Sequence, residues 1–251
     1  MGAADRRIAE EVALARSIIV YHGDGEKNAR MDALYARFLK PGELAFDIGA
    51  HVGDRTASFR RIGARVVALE PQPAPAAVIE RLFGDDPEVT LLRAASAAQE
   101  GKLVLYLNTK NPTVSTASEA FVRAAEGAGG WEGQVWDGTI DVPATTLDAL
   151  IARYGRPAFV KIDVEGAEDA VLAGLSEPLP ALSFEFTTIQ RDVALSCLDR
   201  LNRLGDYRFN VALGEGQRLT FGRFVPREEM AAHVLTLPHA ANSGDVYAVL
   251  G

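Results

Sequence analysis

One stretch, Leu44-Ala-Phe-Asp-Ile-Gly-Ala-His-Val-Gly-Asp54, constrains this chain more than any other. Its apolar run ends in Asp47, Gly49 and Gly53, which is how a buried strand turns directly into a helix. A second apolar run, Val66–Leu69, ends in Glu70 and Pro71, placing an acid 23 positions after Asp47. Together they mark a nucleoside-binding α/β unit: the first loop admits a ligand against bare backbone, and the acid at the next strand's end takes ribose hydroxyls. A chain built on such a unit folds as a mainly parallel sheet with helices on both faces.

The glycine positions narrow the nucleoside. A dinucleotide fingerprint requires G-x-G-x-x-G, whereas here Asp47 holds the first position and the last glycine falls one residue late, at Gly53. The run Asp47-x-Gly49-Ala50-x-x-Gly53 with Glu70 instead resembles the S-adenosylmethionine (SAM) loop of class I methyltransferases. That ligand has no pyrophosphate, so the loop need only let backbone approach its amino-acid and ribose portions.

Composition bounds the rest. At 251 residues, 48% hydrophobic and 24% charged, the chain is ordinary globular material, enough for one α/β domain with additions. A net charge of −8 leaves no basic footprint for nucleic acid or an anionic membrane. Cys197, the single cysteine, rules out an internal disulfide and a cysteine-rich zinc site, and its place on an apolar helical face marks it as a core thiol. No segment approaches the length of a membrane span or a signal h-region, so a cytoplasmic location is expected.

In chain order, Ile8, Val12, Ala15 and Ile19, then Met31, Leu34, Tyr35 and Phe38, recur at helical spacing. They predict an N-terminal helical extension, residues 1–40, ahead of a methyltransferase-like domain, residues 41–251. After Gly63 and the second strand come a helix to Phe83 and a third strand, Val89–Arg93, whose end brings Ser96 toward the expected base pocket. Residues 101–108 alternate as a strand with one exposed side, and an insertion over 108–140 holds both tryptophans, Trp131 and Trp136. These either stack an acceptor or close the insertion over the core. Residues 142–148 are expected to open the next helix, with Thr145 or Thr146 as its cap. Ala158-Phe-Val-Lys-Ile-Asp-Val-Glu-Gly166 then carries Lys161, Asp163 and Glu165 at alternate positions of a strand, and the strand after it ends near Glu185. Three ionisable groups in such a place are costly unless paired or used. The pairing reading has Lys161 neutralising Asp163 or Glu185.

Phe46-Asp-Ile-Gly-Ala-His-Val-Gly-Asp-Arg-Thr56 with Glu70-Pro71, Thr146-Leu-Asp-Ala-Leu150, Lys161-Ile-Asp-Val-Glu-Gly-Ala-Glu168 and Gly244-Asp-Val-Tyr247 together resemble the FkbM family of SAM-dependent methyltransferases. The resemblance spans roughly residues 40 to 190 and the final strand. It implies a class I, Rossmann-like sheet of seven strands, six parallel and the last antiparallel, and O-methylation of a hydroxyl on a sugar or hydroxylated metabolite. The expected cofactor contacts are Asp47, Gly49, Ala50, Gly53, Glu70 and Ser96, with SAM as donor and S-adenosylhomocysteine (SAH) as product. An aliphatic hydroxyl must lose a proton, and the candidate bases are Asp163, Glu185, Glu165 and His51. No metal ligand is assigned and a divalent metal is not expected, although some O-methyltransferases place one on acids at this strand end. The acceptor is expected to be a small molecule or glycan, with no nucleic acid and no membrane; self-association is left open. The competing readings are a SAM-binding module without catalysis and a nicotinamide oxidoreductase on a similar sheet.

Overall fold

A computed structural model describes residues 3–251, with side chains from residue 8 onward; the expected 1–40 extension thus begins, at residues 1 and 2, outside the described residues. The strands are β1 (Leu44–Ile48), β2 (Arg65–Leu69), β3 (Val89–Leu92), β4 (Ala95–Ser96), β5 (Gly101–Leu107), β6 (Gly138–Thr145), β7 (Phe159–Ile162), β8 (Ala181–Thr187), β9 (Tyr207–Leu213) and β10 (Ser243–Leu250). The helices are α1 (Ala3–His22), α2 (Gly25–Tyr35), α3 (Asp54–Ile62), α4 (Pro73–Phe83), α5 (Glu119–Ala125), α6 (Leu147–Tyr154), α7 (Glu168–Ala173), α8 (Arg191–Leu204) and α9 (Arg227–Thr236).

Seven strands form one sheet in the order β3-β2-β1-β7-β8-β10-β9. β10 runs antiparallel to both of its neighbours and the other pairs are parallel, as the family resemblance implies. Strand order reverses between β1 and β7. At such a switch point the connections leave in opposite directions and open a crevice at the carboxyl ends.

Alternation along the strands sends their residues to two cores. Phe46, Ile48, Val160 and Ile162 join Leu147, Leu172, Leu198 and Met230 beneath α6 to α9. Ala45 and Phe159 face the other way and pack with Met31, Leu34, Tyr35, Phe59 and Ile79 from α2, α3 and α4. Aromatic rings dominate this second face: Phe38 stacks on Phe159 and on Tyr247 with centroids 5.2 and 5.5 Å apart. The helix expected over residues 31–38 is therefore part of the core. α1 differs from the expectation. Its stripe of Ile8, Val12 and Ile19 is 60, 65 and 72% exposed, and the residues turned inward are Ala13 and Ser17. Small side chains on that face let α1 lie close against the insertion, and periodicity alone does not say which side of a helix has a neighbour.

The insertion is flanked by a second sheet of three strands, ordered β4-β6-β5, of which only the first residues of β6 fall within 108–140. Residues 138–145, expected as loop leading into a helix, are its central strand, and the helix begins only at Leu147 with Thr146 Oγ capping Ala149 N–H at 3.1 Å. Val142 on β6 and Leu105 on β5 supply a small core of their own. Both tryptophans close the insertion: Trp131 meets Phe121 edge to face at 5.0 Å, and Trp136 Nε1 donates to the Val114 carbonyl at 2.9 Å.

On the α2/α3 face, β7 carries Lys161 with none of its surface exposed. Its ammonium donates to Asp163 Oδ2 at 2.9 Å and to Asp245 Oδ1, on β10, at 2.8 Å. Glu185, one of the two partners expected for Lys161, is replaced by Asp245, because Asp245 pairs directly opposite Glu185 in the β8/β10 register. Burial alone would lower the lysine's pKa, but the two carboxylates hold it well above its usual value. Replacing Lys161 by Met should cost ~3–5 kcal/mol, since it strands two buried acids. Urea unfolding measures this, and the double variant Lys161→Met/Asp245→Val should recover part of the loss; a single variant as stable as the parent would contradict the pairing.

Candidate functional site

The crevice is built from the ends of β1, β2 and β7. Gly49 sits at φ +83°, and a Cβ there would lie 1.8 Å from the Asp163 carbonyl oxygen. The β1 and β7 turns thus touch at a point where only glycine fits. Gly53, also left-handed, opens α3 directly beyond it. Asp47 lies behind the turn: its Oδ2 accepts from Thr56 Oγ at 2.6 Å, and burial raises its carboxyl to about 6. Its Oδ1 has no partner. From outside, His22 Nε2 meets the Val52 carbonyl at 2.9 Å, tying α1 to the turn.

Glu70 joins the first two turns. Its carboxylate accepts from His51 N–H at 2.8 Å and from Gln72 N–H at 2.7 Å, and burial outweighs both bonds to push its pKa up to about 8. His51 takes a left-handed backbone, φ 48°, and its ring sits edge-on to Tyr21. Burial lowers the imidazole to about 4, so it is neutral at physiological pH, and its Nε2 has no partner.

The turn after β7 explains the spacing Lys-x-Asp-x-Glu-Gly-x-Glu. β7 ends at Ile162, so Asp163 and Glu165 project from a turn and do not continue the strand's alternation. Glu165 stands at φ 57°, and its carbonyl is held by Thr116 Oγ of the insertion at 2.6 Å. Gly166 follows at φ +87°, where a Cβ would lie 2.3 Å from Gln190 Oε1 and 2.6 Å from Phe121. Glu168 closes the turn, accepting from the N–H groups of Val164 and Gly166 at 3.1 Å each.

This turn brings three carboxylates together: Asp163, Glu165 and Glu185 each place an oxygen within 4.8 Å of the others. Their environments differ. Burial would raise Asp163, but Lys161 and Arg55 bring its pKa below the usual value. Glu165 and Glu185 are pushed well above the usual carboxylate range by burial and by the charge of Asp163. The cluster therefore combines one acid that neighbouring cations favour in its ionised form with two that burial and the charge of Asp163 favour in the neutral form. The same three oxygens suit a small divalent cation.

Two adjoining cavities receive these groups. The first offers about 550 Å³ free of protein atoms, counting its open mouth, and is lined by Gly49, His51, Glu70, Ser96, Asp163 and Glu165 among others. Only about 50 Å³ of it is wide enough for water, so the sheet ends and the insertion's 113–117 edge stand close. The second, about 470 Å³ on the same measure, is lined by Ala50, His51, Asp163, Glu165 and Glu185. Of the residues singled out in the sequence, Asp47 and Gly53 alone line neither; they shape the turn from behind.

Several lining residues carried no sequence signal strong enough to name them. Gln72 faces the first cavity and donates from Nε2 to the Pro112 carbonyl at 3.1 Å. Arg55, buried, pairs with Asp54 and with Glu215 at 3.2 Å, while Lys27 reaches the same Glu215 at 3.1 Å. Burial would raise Glu215, yet these two cations hold it at about 2. A carboxylate lodged in an apolar strand, Asp245-Val-Tyr-Ala-Val249, was the available hint for Asp245.

Residues 47–209, more than half of the chain, match the methyltransferase FkbM domain. No curated protein matches the sequence. The fold is similar to a TehB-like SAM-dependent methyltransferase from Corynebacterium glutamicum, at 11% identity over 98% of this chain and 99% of that one, TM-score 0.48. It is also similar to the O-methyltransferase from Bacillus cereus in complex with SAH, at 11% identity over 100% and 92%, TM-score 0.46. A third is the precorrin-6y C5,15-methyltransferase from Geobacter metallireducens, at 14% identity over 88% and 87%, TM-score 0.46. No helix among the described residues is long and apolar enough to cross a membrane.

The burial of His51 is checked by NMR titration of its ring. The carbon-bound proton shift should move near pH 4 and stay flat from there to neutrality. An inflection near pH 6.5 would mean that water reaches the ring.

Proposed function

This chain belongs to the FkbM methyltransferase family, and we propose that it transfers a methyl group from SAM to a hydroxyl of a small-molecule acceptor, a sugar or a hydroxylated metabolite. The observation that carries this reading is the carboxylate cluster beside the cleft that Gly49, Glu70 and Ser96 line. The residues present fit the donor: Glu70 faces the cleft as the acid at the end of β2, and Ser96 Oγ and His51 Nε2 line it as buried polar atoms without partners. SAM supplies a methyl group on a sulfonium, already activated for displacement. What remains for the protein is to hold the acceptor oxygen in line, exclude water and take its proton.

Asp163 and Glu185 together carry that last task. Lys161 favours the ionised form of Asp163 and fixes its position, and Glu185 places a carboxylate oxygen within 4.8 Å of it. The pair thus holds one negative charge that accepts the hydroxyl proton as the acceptor oxygen bonds to the methyl carbon and the carbon–sulfur bond breaks, leaving a neutral thioether. His51, with its lowered pKa, is a weak base and is better suited to shaping the acceptor side. Cys197 is buried in the core with its thiol pushed up, out of reach of this chemistry.

Glu70→Ala should weaken SAH binding roughly five- to hundredfold by calorimetry, the value of about 1–3 kcal/mol for leaving a buried hydrogen-bonding partner unsatisfied. Unchanged affinity would remove Glu70 from the ribose site.

Glu185→Gln should bind SAH normally and lose methyl transfer by roughly 10²- to 10⁴-fold. Because Lys161 lowers the carboxyl of Asp163, activity of the parent should hold down through the ordinary carboxylate range and fall only below it; a rate that climbs at higher pH and loses that limb in the variant would assign the base to Glu185 instead. Activity that persists in EDTA assigns the cluster to proton transfer alone; loss restored by Mg²⁺ assigns it to a cation.

A further inference from the structure

Beside the reaction cavity lies a third one, about 810 Å³ counting its open mouth, walled by α1 on one side and the insertion on the other. Tyr21 and Thr113 line both, so the two spaces meet at these residues. Their electrostatic character is opposite. The reaction cavity is lined by Asp54, Asp163, Glu165, Glu185 and Glu215 against the single cation Arg55. Among the described residues the third cavity is lined by Arg16 and Lys110 and by no acid. Neither cation has an ion-pair partner among the described residues, although the chain as a whole carries a net charge of −8.

The neutral polar groups there point the same way. Gln134 Oε1 is taken up by Asn108 Nδ2 at 2.8 Å and by Asn111 Nδ2 at 3.2 Å, and Asn108 Oδ1 accepts from Asn111 N–H at 3.0 Å. With these amide oxygens satisfied by the insertion itself, Gln134 Nε2 is left as a donor beside the two cations. The wall presents positive charge and N–H groups, the complement of an anion with several acceptor oxygens.

We infer that this cavity is the acceptor's anchoring site and that the acceptor carries an anionic group, phosphate or carboxylate, held between Arg16 and Lys110. The inference rests on the O-methylation reading and adds the substrate class to it. The charge pattern also sets the acceptor's direction. An anion finds no free cation in the reaction cavity, where Arg55 is already paired with Asp54 and Glu215, and is drawn to the cationic end, which leaves the hydroxyl-bearing end to pass Tyr21 and Thr113 toward Asp163 and Glu185. The exposed position of both cations lets an acceptor enter from solvent without displacing an internal ion pair.

The first test needs no turnover. Inorganic phosphate and acetate are titrated into the SAH-loaded protein, with the Gln134 and Asn111 side-chain amide signals followed by NMR. Saturable shifts for at least one of the two are expected, lost in Arg16→Ser/Lys110→Ser; no shift with either anion, or identical shifts in the variant, overturns the inference. The second test compares methyl glucoside, glucuronate and glucose 6-phosphate as acceptors. The carboxylate or the phosphate sugar should be preferred over the neutral one, and the response of these two arms identifies the anion. In the double variant the KM for the preferred sugar should rise at least about tenfold, with kcat changed less than about twofold, as expected when ground-state binding contacts are removed. Equal use of all three sugars, unaffected by the substitutions, overturns the inference and leaves O-methylation standing. Saturable phosphate binding with no methyl transfer to any hydroxylated compound overturns O-methylation and leaves the anion site standing.

Discussion

A fully buried ammonium organises this molecule. Lys161 lies in the middle of a parallel sheet, where an unpaired charge is not tolerated, and it is neutralised by one acid from its own turn and another from the antiparallel strand β10. The set gains little net stability over a well-packed apolar replacement, because desolvating three charges costs about as much as their attraction returns. Its consequence is positional. Asp163 cannot leave the end of β7 without stranding Lys161, so the carboxylate that faces the crevice is fixed by an interaction beneath it.

The turn above that ion set is held as firmly. Gly49 and Gly166 both take left-handed backbone at points where a Cβ would strike a neighbour, and Glu168 ties the turn through two backbone N–H groups. Thr116 reaches across from the insertion to the Glu165 carbonyl, so the insertion is coupled to the acid cluster as well as lying over it. With the geometry set, burial and charge sort the acids. Lys161 shifts Asp163 toward its ionised form, whereas Glu165 and Glu185, lacking a cation of their own, are shifted toward the neutral form. Acids brought together in a low-dielectric site but placed unequally about one cation acquire different roles.

How much of this was legible in the chain differs by region. The sheet was, because short apolar runs ending in acids and glycines specify strands, their ends and their turns. β6 was not, since its partners β4 and β5 lie far from it in sequence and Pro143 reads as a break. α1 was located as a helix but turned the wrong way: Ile8, Val12 and Ile19 carry the apolar period, yet Ala13 and Ser17 make the contacts. The tryptophans were left between two uses, and the decision came from Phe121 and Val114, which a linear reading does not bring near them.

At the site the division is similar. Gly49, Ala50, Glu70, Asp163 and Glu165, named from the sequence, line the two cavities because local motifs carry local backbone requirements, whereas Asp47 and Gly53 lie behind the turn. Ser96 and Glu185 could be named because strand ends in one sheet converge. What only the tertiary structure decided was pairing. That Lys161 takes Asp245 in place of Glu185, that Arg55 and Lys27 meet Glu215, and that Arg16 and Lys110, without an ion-pair partner among the described residues, line the cavity next to the acid cluster all follow from strand register and helix placement. Charge interactions act through space and have no period along the chain, so a sequence fixes which ionisable groups exist and leaves their partners to the fold.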